Sequence, residues 1–106
     1  MTTVLVQYKL KDGTTRAQAL KDQEAAAPRF QGLDGLQTKH FLYHEKNGTG
    51  GGFYHWASRA QAEAFHNQEF LDRIEKMVGT PPTVTFFETA VLVDNTKGDI
   101  RVLAAE

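Results

Sequence analysis

The stretch GGGFYHWASRAQAEAFHNQEFLDRIEKMV, residues 50–78, decides the fold, because a strand, a helix start and a helix stop follow one another in it. Phe53, Tyr54, His55 and Trp56 form an aromatic run suited to a pleated strand, and Gly50, Gly51 and Gly52 before them read as a loop free to take positive φ. Ser58 followed three residues later by Gln61 is a capping box, in which the hydroxyl accepts from an unpaired amide of the first helical turn. Ala62, Phe65 or His66, Phe70, Ile74 and Met77 or Val78 then recur every three or four residues, so a single helix with one buried stripe is expected up to Val78. Gly79 suits a left-handed exit, and Pro81 cannot extend the helix.

Upstream, residues 36–46 alternate as a strand, with Leu36, His40, Leu42 and His44 at one parity and Lys39, Phe41 and Tyr43 at the other. The turn-rich Asn47-Gly48-Thr49-Gly50 joins that strand to the aromatic run as an antiparallel hairpin. Residues 3–10 place Val4, Val6, Tyr8 and Leu10 on one face of a first strand. After Asp12-Gly13, the spacing of Thr15 and Gln18 starts a helix that runs to about Ala27, where Pro28 stops it. Its stripe of Ala17, Leu20, Ala27 and Phe30 is thin, so this helix depends on its neighbours. Downstream, residues 84–93 form the last long strand. Residues 94–106 form a tail whose Ile100, Val102 and Leu103 make either a short edge strand or a segment laid on a partner. The order β-α-β-β-α-β predicts one α+β domain over residues 1–106, ferredoxin-like with an antiparallel sheet.

A chain of 106 residues buries roughly two-thirds of its unfolded surface, enough for one modest core. The net charge of −1, with both signs interspersed, argues against nucleic acid and against a polybasic membrane contact. No cysteine is present, which removes disulfides, thiolate catalysis and thiolate zinc sites. The opening MTTVLVQYKL is too short and polar for a signal peptide or membrane span, so a cytoplasmic protein is expected. His40 and His44 lie about 13 Å apart along a strand and cannot share a metal. His44 and His55 meet only if the hairpin register sets them opposite each other, and no metal site is expected.

Strands two to four carry bulky apolar groups at both parities: Phe41 and Tyr43 against Leu42, Phe53 against Tyr54 and Trp56, Phe86 and Leu92 against Phe87, Val91 and Val93. Two helices cover one face of such a sheet, so a second copy of the chain is expected on the other. Trp56-x-Ser58 with Ala62, Phe65 and Phe70 resembles the antibiotic-biosynthesis-monooxygenase group of dimeric α/β barrels. Within it the chain resembles the short YdhR-like proteins, through Lys39, Phe41, Glu45-Lys46-Asn47, Gly51-Gly52 and Phe53-Tyr54. The resemblance implies a homodimer with a small pocket in each protomer, where phenolic or quinone-like aromatics react with dioxygen without metal, flavin or nicotinamide. A haem-degrading branch of the group uses an Asn on the first strand and a helical Trp and His. This chain has Gln7, Phe65 and Glu75 near those positions, which disfavours haem.

Cofactor-free oxygenation needs a base, dry apolar walls and donors for the anion formed. His55 is a candidate base because it shares strand parity with Phe53 at a position where the resembling family tends to place an aliphatic residue, and a polar group at a core position is costly unless paired; the ordinary alternative is a hydrogen-bonded core or rim histidine. His66, beside Phe65, either lines the pocket or caps the stripe in solvent. Tyr54 and Gln7 are read as donors to the oxyanion, and Phe41, Phe53, Phe65 and Phe70 as pocket walls. Lys39 either stabilises an enolate or extends into water. Trp56 is either a stacking wall or, by preference, a dimer-interface residue. Glu88 either holds a histidine or is exposed, and the glycine run lacks the context of a phosphate loop. The enzyme reading is a monooxygenase acting on a small aromatic or polyketide-like phenol. The competing reading is a non-catalytic dimeric barrel that binds a small hydrophobic ligand.

Overall fold

Val4 and Val6 are almost wholly shielded from solvent, and they mark the centre of an antiparallel sheet built outward from β1 (Thr2–Lys9). The structure, a computed structural model, describes residues 1–103. β1 pairs on one side with β3 (Thr49–Trp56) and on the other with β4 (Thr83–Glu88), and β2 (Leu36–His44) adds to β3. The strand order β2-β3-β1-β4, with helical crossovers after β1 and β3, is α+β and compatible with a ferredoxin-like arrangement. The helices cover the face that carries Val4, Val6, Tyr54 and Trp56, where Ala62, Phe70 and Ile74 complete the core. Among the described residues no helix is long and apolar enough to cross a membrane.

The caps fall where the sequence puts them. Thr15 accepts from the Gln18 amide at the start of α1 (Arg16–Ala26), and Ser58 accepts from the Gln61 amide at the start of α2 (Arg59–Phe65). Pro28 ends α1 as an α-helix, but the chain tightens into a 3-10 turn over Ala27–Phe30 rather than opening out. That turn delivers Phe30 and Arg29 to the helical face of the sheet.

Four expectations are corrected. The long helix is two, α2 and α3 (Gln68–Val78), because Asn67 competes with helical pairing. Its side chain accepts from the Phe70 amide and donates to the Ala64 carbonyl, starting a new helix and turning His66 inward. Gly79, at φ 97°, closes α3 as expected. The glycine run is strand and not loop: Gly48, at φ 63°, makes the turn, and Gly50, Gly51 and Gly52 are buried in β3. A Cβ on Gly51 would lie 1.9 Å from the Val6 carbonyl oxygen, so β1 approaches β3 there only because the side chain is missing.

The last long strand is also broken. The β1–β4 ladder ends at the pair Thr2–Glu88, and Thr89 ties off by donating its amide to the Met1 carbonyl, with its hydroxyl 2.6 Å from that of Thr3. With no ladder left to join, β5 (Val91–Asp94) pairs instead with β6 (Asp99–Val102) in a separate two-stranded hairpin. The expected edge strand or tail is therefore an arm, and residues 104–106 of that tail lie outside the described residues. Val91, Val93, Ile100 and Val102 share one face of the arm and are 53, 59, 69 and 75% exposed.

Candidate functional site

Between the sheet and α1, the 3-10 turn and α3 lies a cavity of about 560 Å³. Its floor is the middle of β3. Gly51 and Gly52 expose bare backbone there, and a Cβ on Gly52 would sit 2.8 Å from the Tyr54 ring and 3.1 Å from Lys39 Cε. The walls are aromatic: Phe30 packs edge-on to Phe41 at 5.6 Å and to Tyr54 at 6.2 Å, while Phe65 and Phe70 close the α2–α3 side. Arg29 and Arg73 also line the space, as does Asp22.

Lys39 is the central polar group. Alternation on β2 sets it on the helical face opposite Tyr54, and its Nζ lies 3.3 Å from the Phe30 ring centroid, 3.8 Å from Phe41 and 4.7 Å from Tyr54. Burial, then the Arg29 guanidinium, brings its amine down to about 7. The three ring faces favour the ammonium and act the other way. Burial also raises the Tyr54 phenol well above its ordinary value, seconded by Tyr8 and opposed by Arg73, so Tyr54 remains an O–H donor at neutral pH.

His66 stands behind this wall, 7% exposed, with its ring perpendicular to Tyr54 at 4.5 Å and to Phe70 at 4.7 Å. The Trp56 indole N–H donates to its Nε2 at 3.1 Å, so Nε2 is unprotonated and the ring proton sits on Nδ1, which has no hydrogen-bond partner among the described residues. Burial, then the charge of Lys39, lowers its pKa to about 4.

The structure therefore brings together Lys39, Phe41, Tyr54, Phe65 and Phe70 around one cavity. It sets Gln7, Phe53 and His55 on the opposite face, because each has the parity opposite to Val6 or Tyr54. Trp56, expected at an interface, is 2% exposed in the protomer core, and His66 is enclosed beside it. His44 pairs with Thr49 and His55 with Thr38, so the two do not meet across the hairpin. His55 lies near the arm, where burial, then Arg101, lowers its pKa. Glu88 is exposed beside the strand break. Arg29, Phe30 and Arg73 escaped the sequence reading as site residues. Arg73 falls three residues after Phe70 on α3, a spacing that puts both on one side of the helix.

No family model matches the chain, and no curated protein matches it. Among solved structures, the chain is similar to the crystal structure of a protein of unknown function from Nitrosomonas europaea, with a TM-score of 0.64 and 20% identity over 82% of this chain and 86% of the other. The likeness supports the α+β fold alone.

Proposed function

We propose that the cavity takes a small aromatic or polyketide-like phenol and that the protein is a cofactor-independent monooxygenase, assembled as a homodimeric α/β barrel. One observation carries the reading: Lys39 reaches into a ring-walled cavity, its Nζ 3.3 Å from the Phe30 ring centroid and 3.8 Å from that of Phe41, and burial lowers the pKa of its amine. The unprotonated amine accepts the proton of an acidic phenol or anthrone-type substrate, and the resulting ammonium pairs with the anion. The Tyr54 hydroxyl donates to the same anion. Phe30, Phe41, Phe65 and Phe70 supply the apolar walls that this chemistry needs around the anion and dioxygen. For an anthrone-type methylene the balance closes without a co-reactant. The carbon gives up four electrons, one oxygen atom enters it as a carbonyl, and the other leaves as water. The base role assigned to His55 or His66 moves to Lys39 in this reading, since neither imidazole lines the cavity.

The homodimer is supported by what the helices leave uncovered. Phe53 and Phe87 are 39 and 51% exposed on the open face beside the half-buried Leu5 and Leu42, and the arm presents four more aliphatic groups. Burying each such side chain contributes about 1.5–3 kcal/mol. Sedimentation of the wild type and of Phe87→Lys checks it: a dimer that the lysine dissociates supports the barrel, and a wild-type monomer at high concentration removes it.

Oxygen-electrode assays on a panel of anthrones and hydroquinones test the activity. Lys39→Met is expected to slow consumption at least about 100-fold, and His55→Ala to leave it unchanged. The reverse pattern would overturn the assignment. If no compound is consumed but some raise the melting temperature, the second reading holds, a non-catalytic barrel for a small hydrophobic ligand; the apolar walls favour it equally.

A further inference from the structure

We infer that Lys39 is an imine-forming nucleophile and that the cavity admits an acid-bearing aromatic aldehyde or ketone, with its carbonyl carbon against Lys39 Nζ and its carboxylate toward Arg29 and Arg73. This uses the cavity of the proposed oxygenation but neither dioxygen nor a phenol.

The geometry separates this lysine from an ordinary surface one. Its Nζ is held over the Phe30 and Phe41 rings inside the cavity, and among the described residues no carboxylate lies within ion-pair distance of it. An amine that is desolvated and set beside another cation is the arrangement that activates lysine toward carbonyls. The titratable and charged groups facing it are Asp22 from α1, Arg29 from the 3-10 turn, Tyr8 from β1, Tyr54 from β3 and Arg73 from α3, with His66 behind. Asp22 is the one carboxylate among the described lining residues, against the two guanidiniums and the amine. That balance selects an anion, and a guanidinium fork matches a carboxylate in two parallel hydrogen bonds. The aromatic walls select a ring between the acid and the carbonyl.

The chemistry closes on its own. The amine lone pair forms the C–N bond while the carbonyl π pair moves to oxygen, and transfer of the amine proton gives the carbinolamine. Loss of that hydroxyl as water leaves the imine, so one amine and one carbonyl yield one imine and one water with no change of oxidation state. The lowered pKa of Lys39 supports the role: at pH 7 its neutral fraction exceeds that of a surface lysine by on the order of 1000-fold.

The test is reductive trapping on the native protein under nitrogen, with 4-formylbenzoate and cyanoborohydride as the supplied hydride source, read lysine by lysine by peptide mass mapping. Lys39 is expected to be labelled at least about tenfold faster than any other lysine, the large neutral fraction being offset by the crowded cage. Its rate levels off above neutrality while the others keep climbing. Benzaldehyde, which lacks the acid, is expected to label Lys39 several-fold more slowly. Lys39→Arg keeps the cation and is expected to lose this adduct; if that variant does not fold, the comparison among lysines within the wild-type chain still decides. Labelling of Lys39 at or below the surface rate would overturn the nucleophile. Equal rates with the two aldehydes would overturn the acid recognition. Because oxygen is excluded, failure here leaves the oxygenase assay standing, and failure there leaves this one.

Discussion

The two faces of the sheet put their aromatic side chains to opposite uses. On the helical face, Tyr54, Trp56, Phe65, His66 and Phe70 lock into perpendicular, tilted and stacked pairs around a core, and the missing side chain of Gly52 leaves room beside Tyr54 and Lys39 for a cavity. On the other face Phe53 and Phe87 stand over the sheet with His40 and His55 beside them, and no helix of the described residues covers them. Adjacent residues of one strand thus have different fates: Tyr54 is core and cavity wall, while Phe53 is free to meet another molecule. What separates them is parity, a property of the strand as a whole and not of the residue type.

That contrast is open to direct attack. The largest effect is expected at Trp56: Trp56→Ala empties the best-shielded large side chain and should cost about 3–5 kcal/mol in urea unfolding. Next comes acid. His66 has a folded pKa near 4 against about 6.5 unfolded, so the unfolded chain binds more protons between those values, and stability falls as pH drops through that window. The loss is expected to approach about 3 kcal/mol, complete below pH 4, and His66→Asn, which cannot take up a proton, should flatten the profile of midpoint against pH. Gly52→Ala pushes a methyl group toward Tyr54 and Lys39 and should cost about 1–3 kcal/mol while weakening ligand binding in the cavity. The smallest effect belongs to Phe53→Ala on the open face: within about 1 kcal/mol for a lone protomer. A larger loss that grows with protein concentration would show the open face to be covered, and so redraw the comparison.

Much of this was legible because it is local. The parity of β1, the Thr15 and Ser58 caps and the Gly79 exit each depend on a few neighbouring residues, and each stands where the spacing puts it. What failed to show was non-local or competitive. The glycine run looks like a turn until β1 is known to press against Gly51, and the break after Glu88 follows from where the β1 ladder ends. Asn67 carries a cap signal of its own, three residues before Phe70, that the strong stripe of Phe70 and Ile74 overrides to the eye but not in the chain. The site was half legible for the same reason. Lys39 and Tyr54 are named by the sequence, but only the hairpin register brings them to one face, sends His55 and Gln7 to the other, and leaves Arg29 and Arg73 to be found on the helical side.

The arm formed by β5 and β6 has a consequence for how the molecule breathes. A two-stranded ribbon has little free-energy reserve of its own. Its amides should therefore trade hydrogen for deuterium well ahead of those in β1 and β3. Any contact that shelters Val91, Val93, Ile100 and Val102 would slow that trade in the ribbon alone, which makes the arm a built-in reporter of whatever the chain meets.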